Sequence, residues 1–353
     1  MGIFDSLPVN RLQTLVSKSC TDATTVSEVT LPNSMKQQDQ ANRFIDLLVD
    51  ESALLQATNM NRVSNCSGKV HMLDFCGVVT EGACTTACPT PSTPQEFTRG
   101  WSVEKYRAFI KIDKDFLECN IEGASARDTI LGMFSKAIRM DMEYAGIMGD
   151  SSLTTGEGQS RVNNLLGVND GWRKILFDCV PECQVIDAEG HAPSKYLYWE
   201  MKRRLPNRYK SRAQDYRWIV PPSAMEYHAL QLTSRETPLG DSTLCAGQTS
   251  CGPWGTPFFM VPLMPEDIPT EGDPAVDGFD IWYTPLSNLK TYILRDITIE
   301  RERNIYEDKD LYVVHYRADF EIGDPDAVVL AKNVAICGTP FTDVSCQGPC
   351  DVC

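Results

Sequence analysis

Residues 290–334, KTYILRDITIERERNIYEDKDLYVVHYRADFEIGDPDAVVLAKNV, constrain the fold of this chain more than any other stretch. From Thr291 to Glu302 the side chains alternate, with Thr291, Ile293, Arg295, Ile297 and Ile299 on one face and Tyr292, Leu294, Asp296, Thr298 and Glu300 on the other. Leu311 to Ile322 alternates in the same way. A period of two sustained over such a length predicts two long β-strands. The polar link from Asn304 to Asp310 makes them an antiparallel hairpin without a tight-turn dipeptide. Arg295, Arg301, Arg317 and Asp319 interrupt both faces, so this ribbon needs a helix or a neighbouring chain to rest on.

The covering helix is predicted upstream. Ser125-Ala-Arg-Asp128 has the form of a capping box with Asp in place of Glu. It opens a run to Met148 in which Leu131, Phe134, Ile138, Met142, Ala145 and Met148 recur at steps of three and four. Gly149 is expected to stop it in the left-handed conformation. The helix is about 35 Å long at the usual rise. One long helix beside one long ribbon is the inventory of a building block.

In this order the pieces resemble the major capsid proteins of tailed bacteriophages, the Hong Kong 97-type fold. The resemblance rests on DQANRFIDLLVDESALLQATNMNRV, the extended stretches Gly68–Phe75 and Ser102–Ile112, the helix ending in EYAGIMGD, a compact central region, and YRADFEIGDPDAVVLAKNV. It spans residues 40 to 336. The fold class it implies is α/β (α+β). An N-terminal arm and helix would occupy 1–63, and an extended loop 64–112. A peripheral domain would take 113–165 and 286–336, an axial domain 166–285, and a Cys-rich tail 337–353.

The residues themselves divide the chain compatibly. Residues 1–35 are polar and read as an extended arm, and 36–63 favour helix. The tip CGVVTEGACTTACPTPSTPQEF cannot be regular structure, given Pro89, Pro91 and Pro94. Residues 151–170, rich in Gly, Ser, Thr and Asn, read as a linker. Beyond it, helices are expected at Gly171–Asp178, Lys195–Arg204 and Ser223–Gln231, and strands at Tyr216–Val220, Phe258–Leu263 and Phe279–Thr284.

Net charge is −15, which disfavours a general nucleic-acid binder. The one basic stretch is Lys202, Arg203, Arg204, Arg208, Lys210, Arg212 and Arg217, read first as a solvated or subunit-pairing face and second as a nucleic-acid contact. No apolar run approaches the roughly 20 residues that cross a bilayer, and the first residues lack a secretory pattern.

The fourteen cysteines permit three readings: zinc, inert buried thiols, or disulfides. Cys350 and Cys353 form the one C-x₂-C pair, and no His lies near them. The disulfide reading is preferred because the pairs sit in Pro-, Gly- and Thr-rich segments. Cys84, Cys88, Cys346, Cys350 and Cys353 are the expected intersubunit partners, while Cys179–Cys183 and Cys245–Cys251 are expected local staples. Arg295, Arg301, Glu302, Arg303 and Arg317 are candidate charges between subunits.

Catalytic motifs are missing from the sequence. His71, His191, His228 and His315 form no ligand pair, and no nucleophile elbow or phosphate loop is complete. His315 is read as the partner of a neighbouring charge. The motif search leads to the expectation of a non-enzyme without cofactors and with no membrane, and the resemblance implies a homo-oligomer of hexamers and pentamers enclosing double-stranded DNA in a virion. Scaffolding, portal and decoration proteins are possible partners, and the short arm leaves no room for a fused scaffolding domain. The rival readings are an encapsulin-type compartment and, from another class, a disulfide-rich or zinc-binding soluble protein.

Overall fold

The computed structural model describes residues 53–75, 79–80, 93–114, 125–233, 252–269, 277–304 and 306–342. The arm, most of the first expected helix, the loop tip with Cys84 and Cys88, and Cys245, Cys251, Cys346, Cys350 and Cys353 lie outside these residues. In chain order the elements begin with α1 (Ala53–Ala57), β1 (Asn59–Arg62), β2 (Ser67–Asp74), β3 (Gln95–Ser102), β4 (Glu104–Asp113) and α2 (Ser125–Met148). Next come α3 (Arg161–Leu166), α4 (Trp172–Cys179), β5 (Val185–Asp187), α5 (Lys195–Arg204), α6 (Asn207–Lys210), β6 (Tyr216–Val220) and α7 (Pro222–Thr233). The chain continues through β7 (Phe258–Met260), β8 (Ile268–Pro269), β9 (Asp277–Pro285), β10 (Leu289–Asn304), β11 (Lys309–Ile322) and β12 (Val329–Val334).

These strands form two sheets and a ribbon. The first sheet has the order β1-β10-β11-β4, the second β5-β12-β9-β6-β7 with β8 on β9, and β2 pairs with β3 alone. The expected hairpin is β10–β11, antiparallel from Leu289↔Ile322 to Asn304↔Lys309. Its alternation is not strict, because the register shifts on both sides of Arg295. On β11 one face is buried throughout, from Asp310, Tyr312 and Val314 to Tyr316, Ala318, Phe320 and Ile322. Ile138, Met142 and Ala145 of α2 share one core with Tyr106, Val314, Tyr316 and Phe320.

The end of α2 shows why glycines recur there. Gly146 lies under the edge-to-face pair of Trp172 and Phe320, and a Cβ would stand 2.8 Å from the Phe320 ring. Gly149 is not left-handed, contrary to expectation. It is small because the backbone of 169–171 crosses it: its carbonyl accepts from Gly171 N at 2.8 Å, and a Cβ would lie 2.4 Å from Asn169 O. Three other expectations change. Asn59–Arg62 is a strand, parallel to β10, since helix α1 closes at Ala57 with Thr58 N bonded to Leu54 O. The supposed linker holds α3, capped by Ser160, whose hydroxyl accepts from Asn163 N. The strand expected to reach Leu263 ends at Met260, before Pro262.

The two sheets share a pair of crossing strands. β9 runs into β10 through Leu286–Asn288, and β11 runs into β12 through Pro325–Ala327. β10 pairs with β11 in the first sheet, and β9 with β12 in the second. At the crossing, Asn288 Nδ2 donates to Asp324 O at 2.8 Å, Asn288 Oδ1 accepts from Asp324 N at 2.8 Å, and Asn288 O accepts from Gly323 N at 2.9 Å. Tyr209 donates its hydroxyl to the Asp324 carboxylate, and Arg208 pairs with Asp326 at 2.7 Å. Asn288→Ala strands two backbone groups at once. It should lower stability by about 1–3 kcal/mol, the usual cost of part-buried polar groups left unpaired. Urea unfolding of the purified chain measures this, and an unchanged midpoint would remove the clasp from the account.

Candidate assembly interface

Among the described residues, the end of the ribbon β2–β3 is uncovered. The ribbon pairs Ser67↔Ser102 through Asp74↔Gln95, and among the described residues no third strand joins it. Leu73 is 71% exposed on one face and Phe97, opposite Met72, is 51% exposed on the other. A lone two-stranded hairpin is marginal in water, and apolar side chains exposed on both faces call for a covering partner.

Its foot, by contrast, is anchored. Trp101 stacks on Tyr292 of β10, with ring centroids 5.5 Å apart. Gly68 stands opposite Trp101, and a Cβ there would meet the indole at 2.4 Å. Ser102 N donates to Asp319 Oδ2 at 2.6 Å, Asn169 Nδ2 donates to Ala318 O at 2.8 Å, and Val103 N donates to Cys66 O at 2.9 Å. Gly68, Trp101, Ser102, Asn169 and Asp319 border a cleft of about 600 Å³ between ribbon and sheet. Burial pushes the Asp319 carboxyl up to about 6 against the opposing pull of its hydrogen bonds from Ser102 and Phe320 N–H. Burial, then the charge of Asp319, pushes Glu321 up to about 7. On α2, burial raises Asp141 to about 6 and Glu143 to about 7.

The expected charges separate into different roles. Arg301 pairs with the fully buried Asp310 across its own hairpin, at 2.7 and 2.9 Å. Arg303 lies 3.7 Å from Asp308 within the same turn. Glu302 is exposed, and Arg317 donates to the Cys66 sulfur at 2.9 Å. Arg295 stands opposite Arg317 in register. On the outward face Lys105, Arg107, Phe109 and Lys111 of β4 are exposed. His315 lies between Arg107 and Thr298 in register, and its Nδ1 is buried with no hydrogen-bond partner.

The basic stretch is largely tied inward. Arg204 donates to Glu200, Cys183 O and Val185 O, and Arg217 to Gln214 O and Tyr216 O. Among the cysteines, Cys179 is a free thiol while Cys183 is disulfide-bonded, so these two do not form the expected local staple. The helical turn ending α4 instead brings Cys179 to Arg99 of the ribbon, 3.4 Å away. Cys66 and Cys337 are exposed free thiols. Among the described residues no metal-binding group of His, Cys, Asp or Glu converges, and no helix is long and apolar enough to cross a membrane. Sequence reading missed the anchoring residues Gly68, Trp101, Asn169 and Asp319. The first two become visible only by counting register along the ribbon.

Comparisons with known proteins point the same way. No family model matches the chain. It is 25% identical over 301 residues, covering 84% of this chain and 91% of the other, to a putative prophage capsid protein, YqbE, of Bacillus subtilis (strain 168). Among solved structures it is similar to a chain of the satellite phage P4 procapsid including the size determination (Sid) protein, with TM-score 0.60, 17% identity, and coverage of 94% and 98%. It is also similar to a Gordonia phage Cozz chain, with TM-score 0.56, 12% identity, and coverage of 84% and 90%. The fold is therefore that of Hong Kong 97-type capsid shells. The likeness is to phage capsid proteins, and the chain shares their fold.

The raised carboxylates give a testable pH dependence. Folded Asp141, Glu143, Asp319 and Glu321 hold protons at pH values where the unfolded chain has lost them. Their contribution is full below the ordinary carboxylate range near pH 4 and is lost as pH rises through about 6 to 7. Lowering the pH from about 8 to about 5.5 should thus raise the melting temperature. Asp319→Asn should flatten that slope, and a melting temperature that falls over this window would contradict the assignment.

Proposed function

We propose that this chain self-assembles, as hexamers and pentamers, into an icosahedral head that encloses double-stranded DNA without reading its sequence. The observation that carries the reading is the ribbon β2–β3, anchored at its foot and apolar on both faces toward its end. Such an element is stabilised by lying across a neighbour, and many such contacts per subunit sum to interfaces of thousands of Å², on the order of obligate assemblies. An acidic wall, net −15, supports loose retention of a polyanion. The chain's own chemistry is structural, with no catalytic step, and scaffolding and portal proteins are its expected partners during assembly. The prophage relative favours a phage head over an encapsulin.

Disulfides between subunits would reinforce the shell after release. Two thiols lose two protons and two electrons to dioxygen or another external oxidant for each bond formed. The exposed thiols Cys66 and Cys337 join Cys84, Cys88, Cys346, Cys350 and Cys353 as candidates. Division into peripheral (113–165 and 286–336) and axial (166–285) domains is part of the same proposal. Expression of the chain, alone and with its neighbouring genes, followed by negative-stain microscopy with and without reductant, tests it. Closed shells or capsomer rings are expected, with multimeric bands on non-reducing electrophoresis. A monodisperse monomer under every condition would overturn the shell, and monomer-mass bands alone would overturn the cross-links.

A further inference from the structure

A second cleft, about 430 Å³, opens on the outer face of α5. Trp199, Lys202 and Arg203, at helical spacing, line it together with Lys210, Trp254 and Tyr283, and none of its lining residues is acidic. Trp254 is 55% exposed and holds a left-handed backbone (φ 59°), with Gly255 left-handed after it. A non-glycine residue kept in that region costs free energy and marks ligand clamps. The turn is fixed from behind, since Trp218 Nε1 donates to Pro253 O at 3.3 Å and a Cβ on Gly252 would strike Thr256 O. It is fixed from the side as well: Trp254 Nε1 donates to Lys195 O at 3.3 Å, and Lys202 Nζ donates to Trp254 O at 3.0 Å. The Arg203 guanidinium lies over the Trp199 ring, 5.2 Å from its centroid. The result is a rigid aromatic groove with a cationic rim.

The sequence holds its complement. Residues 195–217 carry eight Lys and Arg against two acids, whereas residues 236–289 carry eight acids and no Lys or Arg. Within the latter, Glu271, Asp273 and Asp277 follow Ile268–Pro269, which is held on β9. Carboxylates suit a cationic rim. Within one copy the segment is rooted at the far end of β9, where Ile268 pairs with Gly278. Tyr283, in the groove, is five residues further on, about 17 Å along the strand at about 3.3 Å per residue. The groove and the root of the segment thus lie at opposite ends of one strand, an arrangement suited to a head-to-tail contact between copies.

We propose that the Trp199–Trp254 groove receives the acidic segment 270–277 of a second copy of this chain. The inference rests on the shell reading above and names a pairing within it.

The test uses the full chain, assembled from a mixture of nitrogen-14 and nitrogen-15 copies and treated with a carbodiimide that joins Lys to Asp or Glu without a spacer. Mass spectrometry of the particles should find light–heavy peptide pairs linking Lys202 or Lys210 to Glu271 or Asp273. Lys202→Glu with Lys210→Glu should lower particle yield about tenfold or more, because like charges then meet across the contact. Adding Glu271→Lys and Asp273→Lys to the same chain should restore it. Particles whose links join only peptides of one copy, or full yield from the doubly reversed chain, would overturn the pairing while leaving the shell intact. Wild-type chain that forms no particles would instead remove the shell reading, and this inference with it.

Discussion

The crossing at Asn288 and Asp324 is the constraint on which the rest of the structure depends. Two strands leave one sheet together and enter the other together, so the first sheet's central hairpin and the second sheet's β9–β12 pair are one continuous ladder interrupted by a clasp. A single asparagine side chain copies the donor and acceptor of a missing backbone pair, which keeps the interruption from leaving buried groups unsatisfied. Everything attached to either sheet takes its place from that junction. Tyr209 and Arg208, beyond α5, are tied to the same turn through Asp324 and Asp326.

From the junction the architecture extends outward with diminishing internal support. The hairpin buries one face against α2 and α4, where Trp172 reaches both Lys290 O and Glu321 O through its indole N–H. The ribbon foot is stabilised by Trp101 on Tyr292 and by Ser102 on Asp319. Among the described residues the ribbon has no such support toward its end, and its apolar side chains are exposed there. The described structure is thus held most firmly at its centre. That gradient suits the assembly proposed above. The buried carboxylates at the foot add a dependence on protonation at the place where the projecting element joins the body.

Much of this was legible in the sequence where side-chain period and burial agree. Helix α2 runs from Ser125 to Met148 as the three-and-four spacing indicates, and α5 and β6 match their expected bounds. Long-range causes left no local mark. Asn59–Arg62 is a strand only because it lies along β10, and Asn288 meets a partner 36 residues away. Arg301 could have been found: counting back from the hairpin link places it diagonal to Asp310. Ser160, the cap of α3, was a readable signal hidden by the polar composition around it. At the interface the exposed charges were visible as residue types, but which were already tied within the chain required the fold. Cys179 and Cys183 show the same limit, since close spacing in sequence did not make them a pair.

The central claim is that the ribbon β2–β3 is completed by neighbouring subunits. Hydrogen exchange measured on the free chain and on assembled particles tests it most directly. The account predicts that amides of residues 67–74 and 95–102 exchange fast in the free chain and become protected on assembly, while those of β11 are protected in both. Equal exchange of the ribbon in the two states would contradict it.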